Sequence, residues 1–336
     1  MDGPDREKNE TSPLCMGLLA HVDAGKTTLS EAILYRTGAI RKLGRVDHGT
    51  SFLDNGTVER ERGITVFSKE ARFLTGTREV TLLDTPGHAD FSAEAERTLS
   101  VLDLAILIVS GPDGVQSHTR TIWKLLDAYG IPVFVFVNKM DREGSDGNRV
   151  LAELKKDFGP GFVAFEKEGP ADTEDLACCT EEMMEDYLET GQISESGIIA
   201  AIEKRKAFPV FFGAALRDQG VEELLKAIET YGPRPSYGDV FSARVYKISR
   251  DKRGVRQTHI KITGGSLKSK DIIRGNGWEE KADEIRLYSG GSYVPAGEVR
   301  SGQVCAVTGL SHTYAGQGLG AETGTAVPLI EPAVTY

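Results

Sequence analysis

The sequence predicts an α/β fold with a mainly parallel sheet, followed by a small antiparallel β-barrel. Three observations carry this. Through the first two thirds of the 336 residues, short apolar runs alternate with helical patterns, which is how βαβ units are written. A stiff stretch, Gly232-Pro233-Arg234-Pro235, then interrupts the pattern and closes at Gly238. Beyond it, short strands of alternating polarity separated by glycine turns take over.

The apolar runs at 15–20, 80–83, 104–109, 133–137 and 210–212 are the expected strands of the sheet. Helices are expected near 26–36, 89–102, 116–129, 144–158 and 221–231. The acidic stretch 162–207 breaks the alternation, with helical patterns at 181–189 and 195–206, and reads as an insertion or lid between two strands. In the second part, strands are expected at 241–249, 257–262, 271–274 and 303–307, with a turn at Gly264-Gly265. This divides the chain into a frayed N-terminus at 1–13, a sheet domain at 14–232 with its insertion at about 160–207, and a β-barrel domain at 238–336.

Forty per cent hydrophobic and 27% charged residues are ordinary for a globular protein with real cores. No apolar run approaches the roughly 18 residues that span a bilayer. The polar start carries no hydrophobic signal segment, so a cytoplasmic protein without a membrane partner is expected, and a monomer. Cys15, Cys178, Cys179 and Cys305 show neither disulfide-framework nor zinc spacing. The net charge of −10 argues against indiscriminate nucleic-acid binding. It is unevenly spread: residues 240–336 hold 13 Lys and Arg against 9 Asp and Glu, so the second part is the one able to face phosphate.

Five motifs carry the chemistry. His21, Val22, Asp23, Ala24, Gly25, Lys26, Thr27 and Thr28 follow the first strand and open a helix. Backbone N–H groups of such a loop, with a helix N-terminus behind them, cradle phosphates. Lys26 would reach the β- and γ-phosphates and Thr27 would hold Mg²⁺. The motif's first position is Ala20, where glycine is usual. Asp84-Thr85-Pro86-Gly87 closes another strand; Asp84 is placed to order Mg²⁺ and the Gly87 N–H to meet a γ-phosphate. Asn138-Lys139-Met140-Asp141 ends the run at 133–137. Guanine offers two donors on one edge, N1–H and the exocyclic amine, and the Asp141 carboxylate can accept both, while adenine offers no such pair. Lys139 can lay its stem along the base. Gly213, Ala214, Ala215 and Leu216 follow the strand at 210–212, and the Ala215 N–H would meet guanine O6; alanine at 214 leaves out a supporting hydroxyl. Arg62-Gly63-Ile64-Thr65 lies between the first two motifs, and Thr65 is the candidate for a movable Mg²⁺ ligand. GTP or GDP with Mg²⁺ is therefore the expected cargo, with Thr27, Thr65 and Asp84 as metal-side residues.

Taken together, Ala-His-Val-Asp-Ala-Gly-Lys-Thr-Thr, Glu-Arg-Gly-Ile-Thr, Asp-Thr-Pro-Gly-His and Asn-Lys-Met-Asp resemble the translational GTPases over about residues 15–336. The branch is that of elongation factor G and the tetracycline-resistance ribosomal protection proteins. The segments 34–40, 44–50 and 99–110 look especially like the latter. The resemblance implies a ribosome-stimulated GTPase, with ribosomal RNA and ribosomal proteins as partners of the full-length protein. It gives His88, flanked by Val22 and Ile64 as a gate, a catalytic role in positioning the attacking water once the ribosome pushes it inward, and puts a monovalent cation near Asp23. It also implies that Leu329-Ile330-Glu331-Pro332 runs into a third domain. An elongation-factor-G-like translocase, a release-factor GTPase and a non-ribosomal GTP-dependent switch are the alternatives.

Overall fold

The computed structural model describes residues 11–42, 69–84, 93–167, 169–275 and 277–326. β1 (Ser12–Ala20) leads into α1 (Lys26–Arg36); β2 (Lys69–Thr75) and β3 (Arg78–Asp84) follow, then α2 (Ala93–Leu99), β4 (Leu104–Ser110), α3 (Ser117–Ala128), β5 (Val133–Asn138) and α4 (Gly147–Phe158). β6 (Phe162–Glu166) and β7 (Gly169–Pro170) precede three helices, α5 (Thr173–Ala177), α6 (Glu181–Thr190) and α7 (Glu195–Glu203). β8 (Phe208–Phe212) and α8 (Val221–Tyr231) complete this part. The sheet runs β2-β3-β1-β4-β5-β8-β6-β7, parallel except for its two outermost strands.

The strands are near-continuous hydrophobic runs because both faces are covered. Alternate residues feed two cores. Met16, Leu18, Leu82, Ile106 and Phe136 pack under α1 and α8; Cys15, Leu19, Leu83, Leu107 and Val135 pack against α2, α3 and α4. β1 lies between β3 and β4, so the chain's crossovers diverge on either side of it. The carboxyl ends of β1, β3, β5 and β8 thus gather at one edge, the place such sheets bind ligands.

Two expectations need correction. β1 begins at Ser12, inside the stretch expected to be frayed, because the Ser12 N–H donates to the Thr77 carbonyl at 2.9 Å and Arg78 reaches its hydroxyl at 3.1 Å. Residues 162–166, expected to open the insertion, are a sheet strand, β6, parallel to β8. The helices after it are part of the core: Leu176, Met183, Ile198 and Ile202 are buried with Val163 and Phe165. Nothing in that packing makes them a lid over the nucleotide edge.

The second part is antiparallel. Its main sheet has the order β15-β14-β17-β10-β9-β18, from β9 (Ser242–Arg250), β10 (Arg256–Gly264), β14 (Ile285–Ser289), β15 (Ser292–Ala296), β17 (Val304–Val307) and β18 (Gly318–Gly320). Two ribbons accompany it: β11 (Ser266–Lys268) with β16 (Glu298–Arg300), and β12 (Ile272–Gly275) with β13 (Trp278–Lys281). All surround one core of Val245, Ile260, Ile273, Ile285, Val299 and Val307.

The two parts share a face. Tyr246 and Val304 bury their side chains in the cluster that holds Cys15 and Leu83. Around them sit buried polar pairs. The Glu70 carboxylate accepts from the Tyr246 hydroxyl at 2.6 Å and meets His259 Nδ1 at 2.8 Å. Asp103 takes the Lys261 ammonium and the Cys15 N–H, the latter at 2.8 Å. Arg78, almost fully buried, donates to the Gly232 and Pro233 carbonyls and so ties the start of the linker to β3.

Candidate nucleotide site

At the end of β1 the chain turns through Asp23, with φ of 61°, and Gly25, with φ of 95°, before α1 begins at Lys26. Gly25 is required twice over. Its backbone lies in the left-handed region, and a Cβ there would meet the Asn138 amide nitrogen at 2.3 Å. The loop is therefore drawn close to the end of β5.

Asn138, buried at the last position of β5, joins three of the five motifs. Its amide nitrogen donates to the Ala24 carbonyl at 2.9 Å, and its Oδ1 accepts from the Ala215 N–H at 3.0 Å. The Met140 N–H donates to the Gly213 carbonyl at 3.0 Å, and the Gly213 N–H to Val137 at 2.9 Å. Gly213 is packed so tightly that a Cβ would sit 2.2 Å from the Gln219 carbonyl. Asn-Lys-x-Asp, the phosphate loop and the Gly213–Leu216 loop thus form one hydrogen-bonded corner.

Lys26 and Asp84 meet at the same edge. Asp84, the last residue of β3, is fully buried, and the Lys26 ammonium is paired with it. Thr27 and Thr28 lie in the first turn of α1, partly exposed at the same edge. His21 stacks obliquely on His118 of α3, ring centres 5.8 Å apart. Burial, and then the neighbouring His21, hold the His118 imidazole below its ordinary value.

On the base side, Lys139 adopts a left-handed backbone, φ 63°, and Ser145 donates to its carbonyl at 2.9 Å. That turn projects Asp141, whose Oδ2 is 2.8 Å from Arg217 Nε. Ala214 and Ala215 are buried and Leu216 is exposed. The Ala215 N–H, expected to meet guanine O6, here donates to Asn138, so contact with a base requires that bond to be shared or exchanged. Thr65, Gly87 and His88, together with Ile64, lie outside the described residues.

Sequence reasoning missed the Asn138 bridge to two separate loops and the Arg217–Asp141 pair. Arg217 carried no signal beyond its place one residue past Leu216. No helix among the described residues is long and apolar enough to cross a membrane.

A phosphate loop at a β1–α1 turn, an acid at the end of β3 and an Asn-Lys-x-Asp at the end of β5 define a P-loop guanine-nucleotide-binding domain. Residues 12–234 match the family model described as the elongation factor Tu GTP binding domain, and the chain belongs to that family. It is 34% identical to tetracycline resistance protein TetP of Clostridium perfringens, over 91% of this chain and 51% of that protein. It is 33% identical to an oxytetracycline resistance protein of Streptomyces rimosus, over 91% of this chain and 52% of that one. Elongation factor G 2 of Syntrophus aciditrophicus (strain SB) is 31% identical over 90% of this chain and 55% of its own length. A crystal structure of a Thermus thermophilus protein superposes with a TM-score of 0.82, at 25% identity, over 95% of this chain and 56% of that one. The chain spans about half the length of the curated relatives it matches.

Proposed function

We propose that this chain supplies the GTP-hydrolysing part of a ribosome-associated, cytoplasmic translation factor, and that the whole protein protects ribosomes from tetracycline. The observation that carries the nucleotide half is the Asn138 corner, which brings phosphate loop and base-reading motif to one edge. The resistance half rests on the names and identities of the TetP and oxytetracycline resistance relatives.

In this reading the N–H groups at 21–28 cradle the phosphates, Lys26 exchanges its pairing with Asp84 for phosphate oxygens, and Asp141 reads guanine. The residues fit a Mg²⁺ ion: Asp84 is a fully buried carboxylate beside the phosphate lysine, and Thr27 adds a hydroxyl at the start of the adjacent helix, hard oxygen donors of the kind the ion takes. Thr65 would complete the set. When bound, the ion neutralises charge developing on the phosphates. His88 would orient the attacking water once the ribosome presses it past Val22 and Ile64, and a monovalent cation held near Asp23 would add positive charge.

The test is GTP turnover by the full-length protein with and without 70S ribosomes, alongside tetracycline release. Alone, turnover of about 10⁻⁴ to 10⁻² per second is expected, because nothing fixes the water. His88→Ala leaves GTP affinity within about a few-fold and loses ribosome stimulation, since only the transition state uses it. Wild-type stimulation in that variant contradicts the assignment. The elongation factor G 2 relative favours a second reading, a translocase. A full-length protein that catalyses translocation and releases no drug belongs there.

A further inference from the structure

Asp141 already has a partner in the structure. Arg217 Nε lies 2.8 Å from its Oδ2. A guanidinium presents adjacent in-plane N–H donors to a carboxylate, as the guanine edge does with N1–H and its amine. Arg217 Nε occupies Oδ2, one of the two carboxylate oxygens that the two guanine donors would use, so guanidinium and base compete for it.

The backbone that carries Arg217 is pinned. Its own N–H donates to the Ala214 carbonyl at 2.8 Å, and Ala215 is tied to Asn138. Asp218 takes the Arg36 guanidinium of α1 at 2.7 Å. The Arg217 side chain, in contrast, is 63% exposed, so it can leave Asp141 for water without moving the loop.

We propose that Arg217 is a built-in competitor of the guanine base, which must displace its guanidinium from Asp141. This rests on the reading of Asp141 as the guanine-selecting carboxylate. Arg217 then lowers guanine-nucleotide affinity by slowing capture, and leaves untouched any base that does not use Asp141.

Fluorescent GDP titration and stopped-flow binding on this chain and on Arg217→Ala test the proposal. An exposed ion pair is weak, so the dissociation constant should fall only about two- to five-fold. The gain should come from faster association and shrink as salt rises towards 1 M. In the Asp141→Asn background, binding of xanthosine diphosphate should be the same with arginine or alanine at 217. Weaker GDP binding by Arg217→Ala, through faster dissociation, would mean that Arg217 steadies Asp141 on the base and overturns the proposal. Unchanged affinity overturns it as well, as does an equal gain in the Asp141→Asn background. Failure of the unsubstituted chain to prefer GDP over ADP is a different result, which removes the guanine reading itself.

Discussion

Lys26 illustrates how a proposed binding residue is kept ready at the scale of one side chain. A buried ammonium needs an anion, and the Asp84 carboxylate at the end of β3 is paired with it. Phosphate oxygens are a better match for that cation than a single carboxylate, and Asp84 is itself an oxygen donor suited to a divalent ion. Lys26→Ala is therefore expected to abolish measurable GDP binding. It also costs about 3–5 kcal/mol of stability, since a buried carboxylate loses its cation. Domains of this kind hold about 5–15 kcal/mol, so circular dichroism should show a folded protein with a lower melting temperature. GDP affinity close to that of the unsubstituted chain would contradict the assignment.

At the scale of elements, the site depends on loops held by one amide. Asn138→Ala leaves the Ala24 carbonyl and the Ala215 N–H without their partner in a buried corner. The expected loss is about 2 kcal/mol or more, read as a lower urea midpoint at unchanged slope, together with weaker GDP binding. An unchanged midpoint would mean that the corner is held by other contacts. The helices at 26–36 and 221–231 were legible in the sequence residue for residue: each starts at a glycine turn, and the second repeats its apolar face at helical spacing. β6 was not. Its run Phe162 to Phe165 is too short to classify locally and sits beside acidic helices; only pairing with β8, more than forty residues on, makes it a strand. Residue types in the motifs were readable for the same local reason, whereas Asn138's reach to Ala24 and Ala215 spans 114 and 77 positions and leaves no local trace.

At the scale of the whole molecule, Glu70 is one of the groups that join the two parts, 189 positions from His259 and 176 from Tyr246, a contact that no sequence pattern announces. Burial pushes the Glu70 carboxyl up, but the hydrogen bond and charge of His259, then the Tyr246 hydroxyl, more than offset it, so it lies below its ordinary value of 4.5. A depressed carboxyl contributes stability that is complete above its unfolded value and is lost as pH falls through the folded one. The joint between the two parts should therefore weaken in acid below about pH 4.5. Glu70→Gln, which keeps the shape and removes the charge, should flatten that dependence in urea denaturation between pH 5 and pH 3, about the window in which a depressed carboxyl titrates. An unaltered slope would assign the acid loss elsewhere.

If Asp141 reads guanine, nucleotide titration of the Asp141→Asn variant shows it most directly. A site built to hydrogen-bond one base rejects an analogue lacking those groups by about 10⁴. The chain should accordingly bind GTP and discriminate strongly against xanthosine triphosphate. Asp141→Asn should reverse the order, because its amide can donate to the C2 oxygen of xanthine and no longer accepts both guanine donors. A variant that keeps the unsubstituted preference for GTP contradicts the account.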